Sequence, residues 1–230
     1  RRWLSLAGQD SLETSSAESM RGLANRMWTD VLTRLEPPHT VVDATCGNGH
    51  DSAYLASLLF NGISPQRPSS NSTISSLVGI DVNPRAIGET HRRLQEILGD
   101  HLPGVTLVQQ SHARFPPQLH NDSVSLVVWN FGYLPGSGKK ECTKTCAESS
   151  LSSVRDAIRL IKPGGALSLT LYPGHRGGDI EASTLESQLS SPSFWEHAGS
   201  NMTLWRIVKH RSLTNERAPY LIVASRRLNR

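Results

Sequence analysis

The sequence is poor in cysteine, with only Cys46, Cys142 and Cys146 among 230 residues. So small and odd a number argues against a disulfide framework and favours a reducing compartment. Cys142 and Cys146 are spaced as C-x-x-x-C, but no further ligands lie near them in the sequence, so we predict no metal site. Cys46 lies between an aspartate and two glycines, where we expect it to pack as a small apolar side chain.

The sequence also lacks a long apolar run and a strong excess of charge of either sign. It contains no stretch of eighteen apolar residues, so we predict no membrane-spanning helix. The formal net charge is +4 and the pI is about 9.2, which permits an anionic partner such as RNA without requiring one. Hydrophobic residues make up 37% of the chain, enough for one sizeable core. We predict a disordered or transit-peptide-like lead-in over 1–19 and a single domain over 20–230.

Helix-like and strand-like segments alternate along the chain. Met20, Leu23 and Met27 recur at three- and four-residue steps, which indicates an amphipathic helix that ends before Pro37-Pro38. Strands are predicted over Thr40–Ala44, Leu77–Val82, Val105–Gln109, Val124–Trp129, Ala166–Tyr172, Met202–Lys209 and Tyr220–Arg226. Further helices are predicted over His50–Phe60, 83–98, Thr143–Ile161 and Ile180–Leu189. This alternation predicts an α/β fold with a mostly parallel sheet of seven strands, helices on both faces and a late antiparallel hairpin.

The segment DATCGNG, from Asp43 to Gly49, joins the first predicted strand to the helix after it. Ligands of such sheets bind outside the carboxyl ends of the strands, where glycines let a ligand approach the backbone. Asp81 closes the second strand, a position from which a carboxylate grips ribose hydroxyls. An acid beside the loop disfavours a phosphate and favours a cation, which fits S-adenosylmethionine (SAM). The alternative is an ordinary strand–helix turn with a capping acid.

Three segments together resemble the class I SAM-dependent methyltransferases and, within them, a family labelled rRNA methylases. They are DATCGNGHDSAYLA (43–56), NFGYLPGSGK (130–139) and YPGHRGG (172–178). The resemblance implies a Rossmann-like fold, SAM as cofactor, and methylation of the 5-aminomethyl group on the wobble uridine of tRNA, often 2-thiolated. The tRNA anticodon stem-loop is then the expected partner. The sequence departs from the family pattern at the polar stretch 63–76 and at the cysteine-bearing stretch 141–146.

The predicted SAM contacts lie on loops at one edge of the sheet. The glycine loop and the two strand-end acids are expected to hold the methionine part, the cationic end and the sugar. Ser111-His112 follows the third strand, where the resemblance implies a contact on the adenine side; His112 is alternatively a structural histidine. Asp51 is alternatively only a favourable charge in the first turn of a helix. The predicted cofactor set is Asp43, Thr45, Gly47, Asn48, Gly49, Asp51, Asp81, Val82, Ser111, His112, Asn130 and Gly132.

Asn130 and Tyr133 are the predicted catalytic residues. They follow the fourth strand in the segment Asn-Phe-Gly-Tyr, which resembles the Asn-Pro-Pro-Tyr motif of amino-methyltransferases. An Asn carbonyl oxygen can accept a hydrogen bond from an amine and aim its lone pair, although it cannot serve as a strong base. Tyr133 is expected to stack on the base or wall it in. The alternatives are a turn-forming residue for Asn130 and a core aromatic for Tyr133.

The loops after the fourth and fifth strands are expected to contact the substrate. His175 is a candidate proton acceptor or phosphate contact, and is alternatively a plain surface histidine. The predicted substrate set is Tyr133, Leu134, Tyr172, Pro173, Gly174, His175 and Arg176. Basic residues on the late hairpin and the first helix form either a tRNA track or scattered surface charge: Arg21, Arg26, Lys209, His210, Arg211, Arg217, Arg226 and Arg227.

The predicted function is a SAM-dependent N-methyltransferase acting on the tRNA wobble position. One alternative is a methyltransferase for an exocyclic base amine of rRNA or DNA, and another is a non-catalytic RNA-binding protein on the same fold. We expect no metal and no membrane partner, and a homodimer is compatible with the sequence. The Ser-rich, Arg-Arg lead-in favours an organelle, chloroplast or mitochondrion, with the cytoplasm as the alternative.

Overall fold

The computed structural model describes residues 19–62, 74–99, 102, 104–132, 146–174 and 177–228. Several predicted features lie outside the described residues: the lead-in over 1–18, positions 63–73 of the polar stretch, and Tyr133, Leu134, Cys142, His175 and Arg176. None of the described helices is long and apolar enough to cross a membrane.

Strands and helices alternate through the described part of the chain, as the sequence predicts. The strands are β1 Thr40–Asp43, β2 Ser76–Asp81, β3 Val105–Gln109, β4 Val124–Asn130, β5 Ile161–Leu171, β6 Trp205–His210 and β7 Tyr220–Arg226. The α-helices are α1 Met20–Arg34, α2 His50–Ala56, α3 Pro84–Leu98, α4 Ala147–Leu160, α5 Gly178–Leu189 and α6 Pro192–His197. A π-helical turn spans Ser57–Gly62 and a 3-10 turn spans Met202–Leu204.

The strands form one sheet in the order β3-β2-β1-β4-β5-β7-β6. Strands β1 to β5 run parallel, and β7 lies antiparallel between β5 and β6. The predicted α/β class, the seven-stranded sheet and the late antiparallel hairpin are therefore confirmed. The order changes direction at β1, between β2 and β4, which is the switch point where sheets of this kind bind ligands.

Local sequence signals account for several element ends. The hydroxyl of Ser19 accepts a hydrogen bond from the Gly22 N–H at the start of α1. Asn83 caps α3 in the same way, with Pro84 in the first turn, and Gly99 ends that helix at a φ of 83°. These are the residue types that satisfy the free N–H and C=O groups of helix termini.

Some predicted boundaries were wrong, for identifiable reasons. Strand β5 begins at Ile161 rather than at Ala166, because the Lys-Pro-Gly-Gly segment itself runs beside β4 across a bulge. A Cβ atom on Gly165 would lie 2.7 Å from the Ser125 carbonyl oxygen, so this close approach requires glycine. Helix α2 ends at Ala56 and continues only as the π-helical turn. The last hairpin begins at Trp205 rather than at Met202, and the short helix α6 was not predicted.

Helices cover both faces of the sheet, as predicted. One core cluster joins α1, α2 and α3 to the sheet through residues such as Leu32, Leu55 and Leu94. The other joins α4, α5 and α6 to the opposite face through residues such as Ile158 and Leu185. Burial of these apolar side chains provides most of the stability, at about 25 cal/mol per Å² removed from water. The carboxyl ends of β1, β2, β4 and β5 consequently meet at one rigid edge.

Candidate active site

The loop after β1 is bonded into the sheet on both sides. The Ala44 N–H donates to the Val128 carbonyl at 2.9 Å, and the Cys46 N–H donates to the Ile80 carbonyl at 2.9 Å. The loop therefore lies across the carboxyl ends of β4 and β2 and is not free to move away from them. Cys46 is buried, and burial raises the pKa of its thiol, so it packs inside the loop as the sequence predicts and is not a nucleophile.

Asp43 braces this loop from beneath. Its side chain is buried, with 1% exposed. One carboxylate oxygen accepts the Thr45 N–H at 3.3 Å and the other accepts the Ser52 hydroxyl at 2.6 Å. Burial, and then the charge of Asp51, raise the pKa of Asp43 to about 7. The buried carboxylate faces the loop itself. A direct contact between Asp43 and a ligand therefore stays a prediction.

Asp81 ends β2 with its carboxylate facing the same loop. Its oxygens accept the Gly47 N–H at 3.0 Å and the Asn83 N–H at 2.8 Å. Burial raises its pKa, and the hydrogen bonds from these backbone groups act in the opposite direction. Each carboxylate oxygen has a second lone pair, so Asp81 retains acceptors for ribose hydroxyls. The neighbouring Val82 is 52% exposed and offers an apolar surface that a flat base can cover.

The loop glycines have a packing reason that the sequence interpretation missed. Gly47 and Gly49 adopt φ values of 52° and 76°, which favour glycine. A Cβ atom on Gly49 would lie 2.7 Å from the Thr90 Cα, so the loop needs glycine there to approach α3. The Thr90 hydroxyl donates to the Gly47 carbonyl at 3.1 Å, and Arg93 Nε donates to the Asn48 carbonyl at 3.0 Å. Helix α3 thus pins the loop from outside.

Asn130 lies at the centre of the edge, as the last residue of β4. Its N–H donates to the Thr45 hydroxyl at 2.7 Å, which ties it to the glycine loop. Its side-chain Nδ2 donates to Asp51 Oδ2 at 3.0 Å. The next residue, Phe131, is buried, and its N–H donates to the Thr170 carbonyl of β5 at 2.9 Å. The backbone leading into Gly132 is therefore fixed from both sides, and the amide of Asn130 faces the loop.

Asn130 belongs to a network of four side chains, which come from α1, α2, β4 and the loop after β5. Arg21 of α1 places Nε 3.4 Å from Asp51 Oδ1, and the Asp51 side chain is only 13% exposed. Tyr172, directly after β5, forms a hydrogen bond with the Asn130 side chain. Burial and the charge of Asp51 raise the pKa of Tyr172, while Arg21 and the Asn130 hydrogen bond lower it. The structure therefore brings together two residues predicted for the cofactor and one predicted for the substrate.

Ser111 and His112 begin the segment after β3, and the adenine contact predicted for them stays a prediction. The Gln110 N–H donates to the Asp81 carbonyl at 3.0 Å, so the segment after β3 starts beside the end of β2. The His112 ring packs edge-on against Phe131, with centroids 5.9 Å apart, and burial lowers its pKa to about 4. Its buried Nε2 has no hydrogen-bond partner among the described residues. Ser111 is exposed and accepts a hydrogen bond from the Ala113 N–H at 3.2 Å.

This donor and acceptor set fits SAM by chemistry. The ribose acceptors of Asp81, the apolar Val82 and the unpaired His112 nitrogen suit a nucleoside. Three carboxyl groups, Asp43, Asp51 and Asp81, lie close to one another around the loop. Such a site favours a ligand whose charged end is positive. No group of three or more His, Cys, Asp or Glu side chains within the described ranges is arranged to hold a metal ion.

The turn between β6 and β7 forms a rim beside this site. Tyr220, the first residue of β7, pairs with Leu171 at the end of β5, so residues 211–219 lie at the site edge. A Cβ atom on Gly174 would come within 2.9 Å of the Arg217 carbonyl oxygen, so the loop after Pro173 touches this turn. Arg211 and Arg217 are both exposed on the turn.

The basic residues predicted for a tRNA track lie at both ends of the sheet and do not form one continuous track. Arg226 bonds to Asp122 and to the Ile161 carbonyl at the opposite end of the sheet, and Arg227 follows it there. Lys209 pairs with Glu186 and lies 5.2 Å from the Tyr220 ring centroid. Three of the residues predicted for the tRNA track are exposed at the site edge: Arg21, Arg211 and Arg217.

Three residues that the sequence interpretation did not select also build the site: Ser52, Thr90 and Arg93. For Thr90 a signal was present, because it lies on the buried stripe of α3 between Ala86 and Leu94, where a hydroxyl needs a partner. Ser52 and Arg93 carried no such signal, since their partners are a carboxylate and a carbonyl distant in the sequence.

Known proteins resemble this chain along most of its length. A tRNA (mnm5s2U34)-methyltransferase, chloroplastic, from Arabidopsis thaliana is 29% identical over 209 residues, which cover 90% of this chain and 69% of that protein. A putative rRNA methylase from Clostridium thermocellum has a TM-score of 0.70 at 22% identity, covering 92% of this chain and 99% of that one. A putative methyltransferase from Streptococcus mutans in complex with SAH has a TM-score of 0.67 at 17% identity, with the same coverage.

The structural similarities are at low identity, and they confirm the class I methyltransferase fold. The sequence-based family model described as Putative rRNA methylase matches residues 77–224, which is more than half of the chain. That range runs from β2 through the Asn130 segment and the loop after β5 into β7. The chain therefore belongs to the Putative rRNA methylase family.

Proposed function

We propose that this protein is a SAM-dependent N-methyltransferase that converts 5-aminomethyl-uridine, often 2-thiolated, to 5-methylaminomethyl-uridine at the wobble position of tRNA. The observation that carries the proposal is the position of Asn130. Its amide is fixed by Thr45 and Asp51 at the switch point of the sheet, beside the glycine loop. The name of the Arabidopsis relative supports this choice of substrate.

Bound SAM supplies a methyl group on a positively charged sulfur, which is already a strong electrophile. The chain has to hold this donor, align the acceptor and exclude water. We assign the sugar to Asp81, the base to Val82 and His112, and the methionine part to the loop from Thr45 to Gly49. A donor held by these residues would present its methyl group on the side of Asn130.

Asn130 aligns the accepting amine. Its Oδ1 accepts an N–H of the neutral amine, which directs the nitrogen lone pair along the line of attack. Attack of this lone pair on the methyl carbon would form the N–C bond as the C–S bond breaks, with its electron pair left on sulfur. The resulting secondary ammonium then releases a proton to solvent. Asn130 takes no proton in this scheme, since an amide is too weak a base.

The site edge is suited to an RNA loop. Arg211 and Arg217 are exposed on the turn beside the site, where phosphate groups of a bound anticodon loop can reach them. Leu213 is fully exposed between them and offers an apolar contact for an unstacked base. Glu186 neutralises Lys209 nearby, so the turn itself presents the cations. A short basic rim fits a stem-loop better than a long duplex.

The test is a methylation assay with purified protein, SAM and tRNA isolated from cells that retain the 5-aminomethyl precursor. We expect mass spectrometry of the digested nucleosides to show that the 5-aminomethyl species gains one methyl group. The matched substrate is the same tRNA with an unmodified wobble uridine, which should gain none. Methylation of an rRNA or DNA base amine, with none at the wobble position, would refute the proposed substrate. The proposed methyltransferase activity would still hold.

An organelle location is proposed on the chloroplastic designation of the same relative. A tRNA of the organelle is then the substrate. Fractionation of the source cells, followed by detection of the protein with an antibody, tests this. Recovery in the cytosolic fraction alone would contradict it.

A further inference from the structure

The orientation of the Asn130 amide is fixed by chemistry as well as by packing. An amide presents an acceptor, Oδ1, on one side and two N–H donors on the other. An ionised carboxylate can only accept, so Asp51 pairs with Nδ2 and not with Oδ1. Asn130 Nδ2 lies 3.0 Å from Asp51 Oδ2. A flipped amide would direct Oδ1 at the carboxylate and would be repelled.

Tyr172 also forms a hydrogen bond with the Asn130 side chain, and this bond acts to lower the pKa of Tyr172. Burial and the charge of Asp51 are the larger effects, and they raise this pKa. Because Nδ2 is directed at Asp51, Oδ1 is the acceptor that the amide can offer a substrate amine.

We propose that Asp51 is a positioning residue for methyl transfer, acting through the Asn130 amide and not as a ligand of SAM. This inference rests on the proposed function, in which Oδ1 accepts a hydrogen bond from the substrate amine. It replaces the cofactor contact predicted for Asp51 from the sequence. Arg21 completes the arrangement, because its Nε lies 3.4 Å from Asp51 Oδ1 and holds the carboxylate in place.

The surroundings of Asp51 direct one of its two oxygens at the Asn130 amide. Oδ2 accepts the hydrogen bond from Asn130, and only 13% of the side chain is exposed. Oδ1 lies 3.4 Å from Arg21 Nε and accepts no hydrogen bond from the described residues. Asp51 also lies in the first turn of α2, which fixes the position of its backbone relative to the glycine loop.

The charge of Asp51 assists the reaction in a second way. Methyl transfer moves positive charge from sulfur to the amine nitrogen. A carboxylate hydrogen-bonded to Nδ2 polarises the amide and increases the negative charge on Oδ1, since linked hydrogen bonds strengthen one another. The group that contacts the amine therefore becomes a better acceptor as the nitrogen becomes positive, which favours the transition state over the ground state.

A double-mutant cycle tests this inference. The variants are Asp51→Ala, Asn130→Ala and the pair, assayed for kcat and KM with tRNA carrying 5-aminomethyl-uridine. We expect Asp51→Ala to lower kcat by about 10- to 100-fold, the range for losing a hydrogen bond to a charged group. In the Asn130→Ala background the same substitution should cost less than about twofold, because its target is gone. Equal losses in both backgrounds would overturn the proposal.

Binding of SAM, measured by calorimetry, separates positioning from a cofactor contact. We expect the Kd of SAM to change by less than about threefold in Asp51→Ala. A Kd that rises as much as kcat/KM falls would make Asp51 a SAM ligand and would overturn the inference. If wild-type protein binds SAM but methylates no 5-aminomethyl-uridine, the proposed function fails, and with it this role.

A readout without substrate or cofactor comes from nuclear magnetic resonance of the Asn130 side-chain amide. In the ligand-free protein the Nδ2 proton bonded to Asp51 should exchange slowly with water, and Asp51→Ala should release it. Unchanged exchange would contradict the hydrogen bond. If the alanine variant does not fold, Asp51→Leu, which is close in size and also lacks an acceptor, replaces it in every arm.

Two further variants sharpen the result. Asn130→Asp puts two carboxylates side by side and should be nearly inactive, while the swapped pair D51N/N130D restores one donor and one acceptor. We expect the pair to exceed Asn130→Asp by about tenfold, and no gain would count against an orienting hydrogen bond. Asp156→Asn removes a carboxylate paired with Arg159 on α4, away from the site, and should retain wild-type kcat.

Discussion

Replacing Asp43 by Asn tests whether burial of this acid under the loop lowers the free energy of unfolding by an amount that depends on pH. The ordinary pKa of 3.8 rises to about 7 in the folded protein, mainly because the group is buried. The gap corresponds to about 4 kcal/mol at 1.36 kcal/mol per pKa unit. The folded state therefore binds this proton more tightly than the unfolded state does.

The sign of the pH dependence follows from that difference. Above about pH 7 the carboxylate is ionised in both states, and the folded protein carries the full cost of burying its charge. As the pH falls from about 7 to about 4, only the folded state takes up the proton, so this residue's contribution to stability improves. Asn stays neutral throughout, can accept the Thr45 N–H and can donate to Ser52. The free energy of unfolding of the variant, relative to that of wild type, should therefore increase as the pH rises.

Urea unfolding of wild type and Asp43→Asn between pH 4.5 and 8 measures this. We expect the difference in unfolding free energy between the two proteins to change by up to about 4 kcal/mol over that range, in favour of the variant at pH 8. Protonation of other groups cancels in the comparison. Parallel curves, with a constant difference at every pH, would refute the argument that Asp43 is a buried acid with a raised pKa.

The remaining predictions concern the loop, the base contact and the rim. Gly49→Ala should lower the free energy of unfolding by about 2–4 kcal/mol, because its Cβ would meet Thr90 at a positive φ; an unchanged urea midpoint would contradict the close packing. Val82→Asp should weaken SAM binding by about tenfold or more in calorimetry, since it puts charge against the base, and an equal Kd would place the base elsewhere. Arg217→Ala should weaken tRNA binding and reduce the slope of log K against log salt by about one, while Arg227→Ala at the far end should do neither. Equal effects of the two arginines would contradict a rim confined to the site edge.

The order of elements could be predicted from the sequence because each strand and helix carries its own periodicity. The lysine-proline-glycine-glycine segment shows where this method fails. Proline and glycine predict a turn there, but Gly165 lies in β5. It is glycine because the adjacent Ser125 backbone leaves no space for a Cβ atom. Such a reason is tertiary, and local sequence does not contain it.

The residue types of the candidate site could also be predicted, but their partners could not. Asp43, Asp81 and Asn130 all lie at the predicted edge, since the carboxyl ends of parallel strands meet there. The sequence did not reveal that Asp43 is buried under the loop or that Asp51 bonds to Asn130, since those contacts depend on where two distant elements come to lie. The basic residues illustrate the same limit, because hairpin geometry sends Arg217 and Arg226 to opposite ends of the sheet.

The most direct test of the whole account is a nucleoside comparison between wild type and Asn130→Ala, using tRNA that carries 5-aminomethyl-uridine. The account predicts that wild type adds one methyl group to this nucleoside. It predicts that the variant still binds SAM in calorimetry and loses about 100-fold or more of the turnover rate. Full turnover in the variant, or a wild-type protein that takes up no SAM, would contradict a methyl transfer aligned by Asn130.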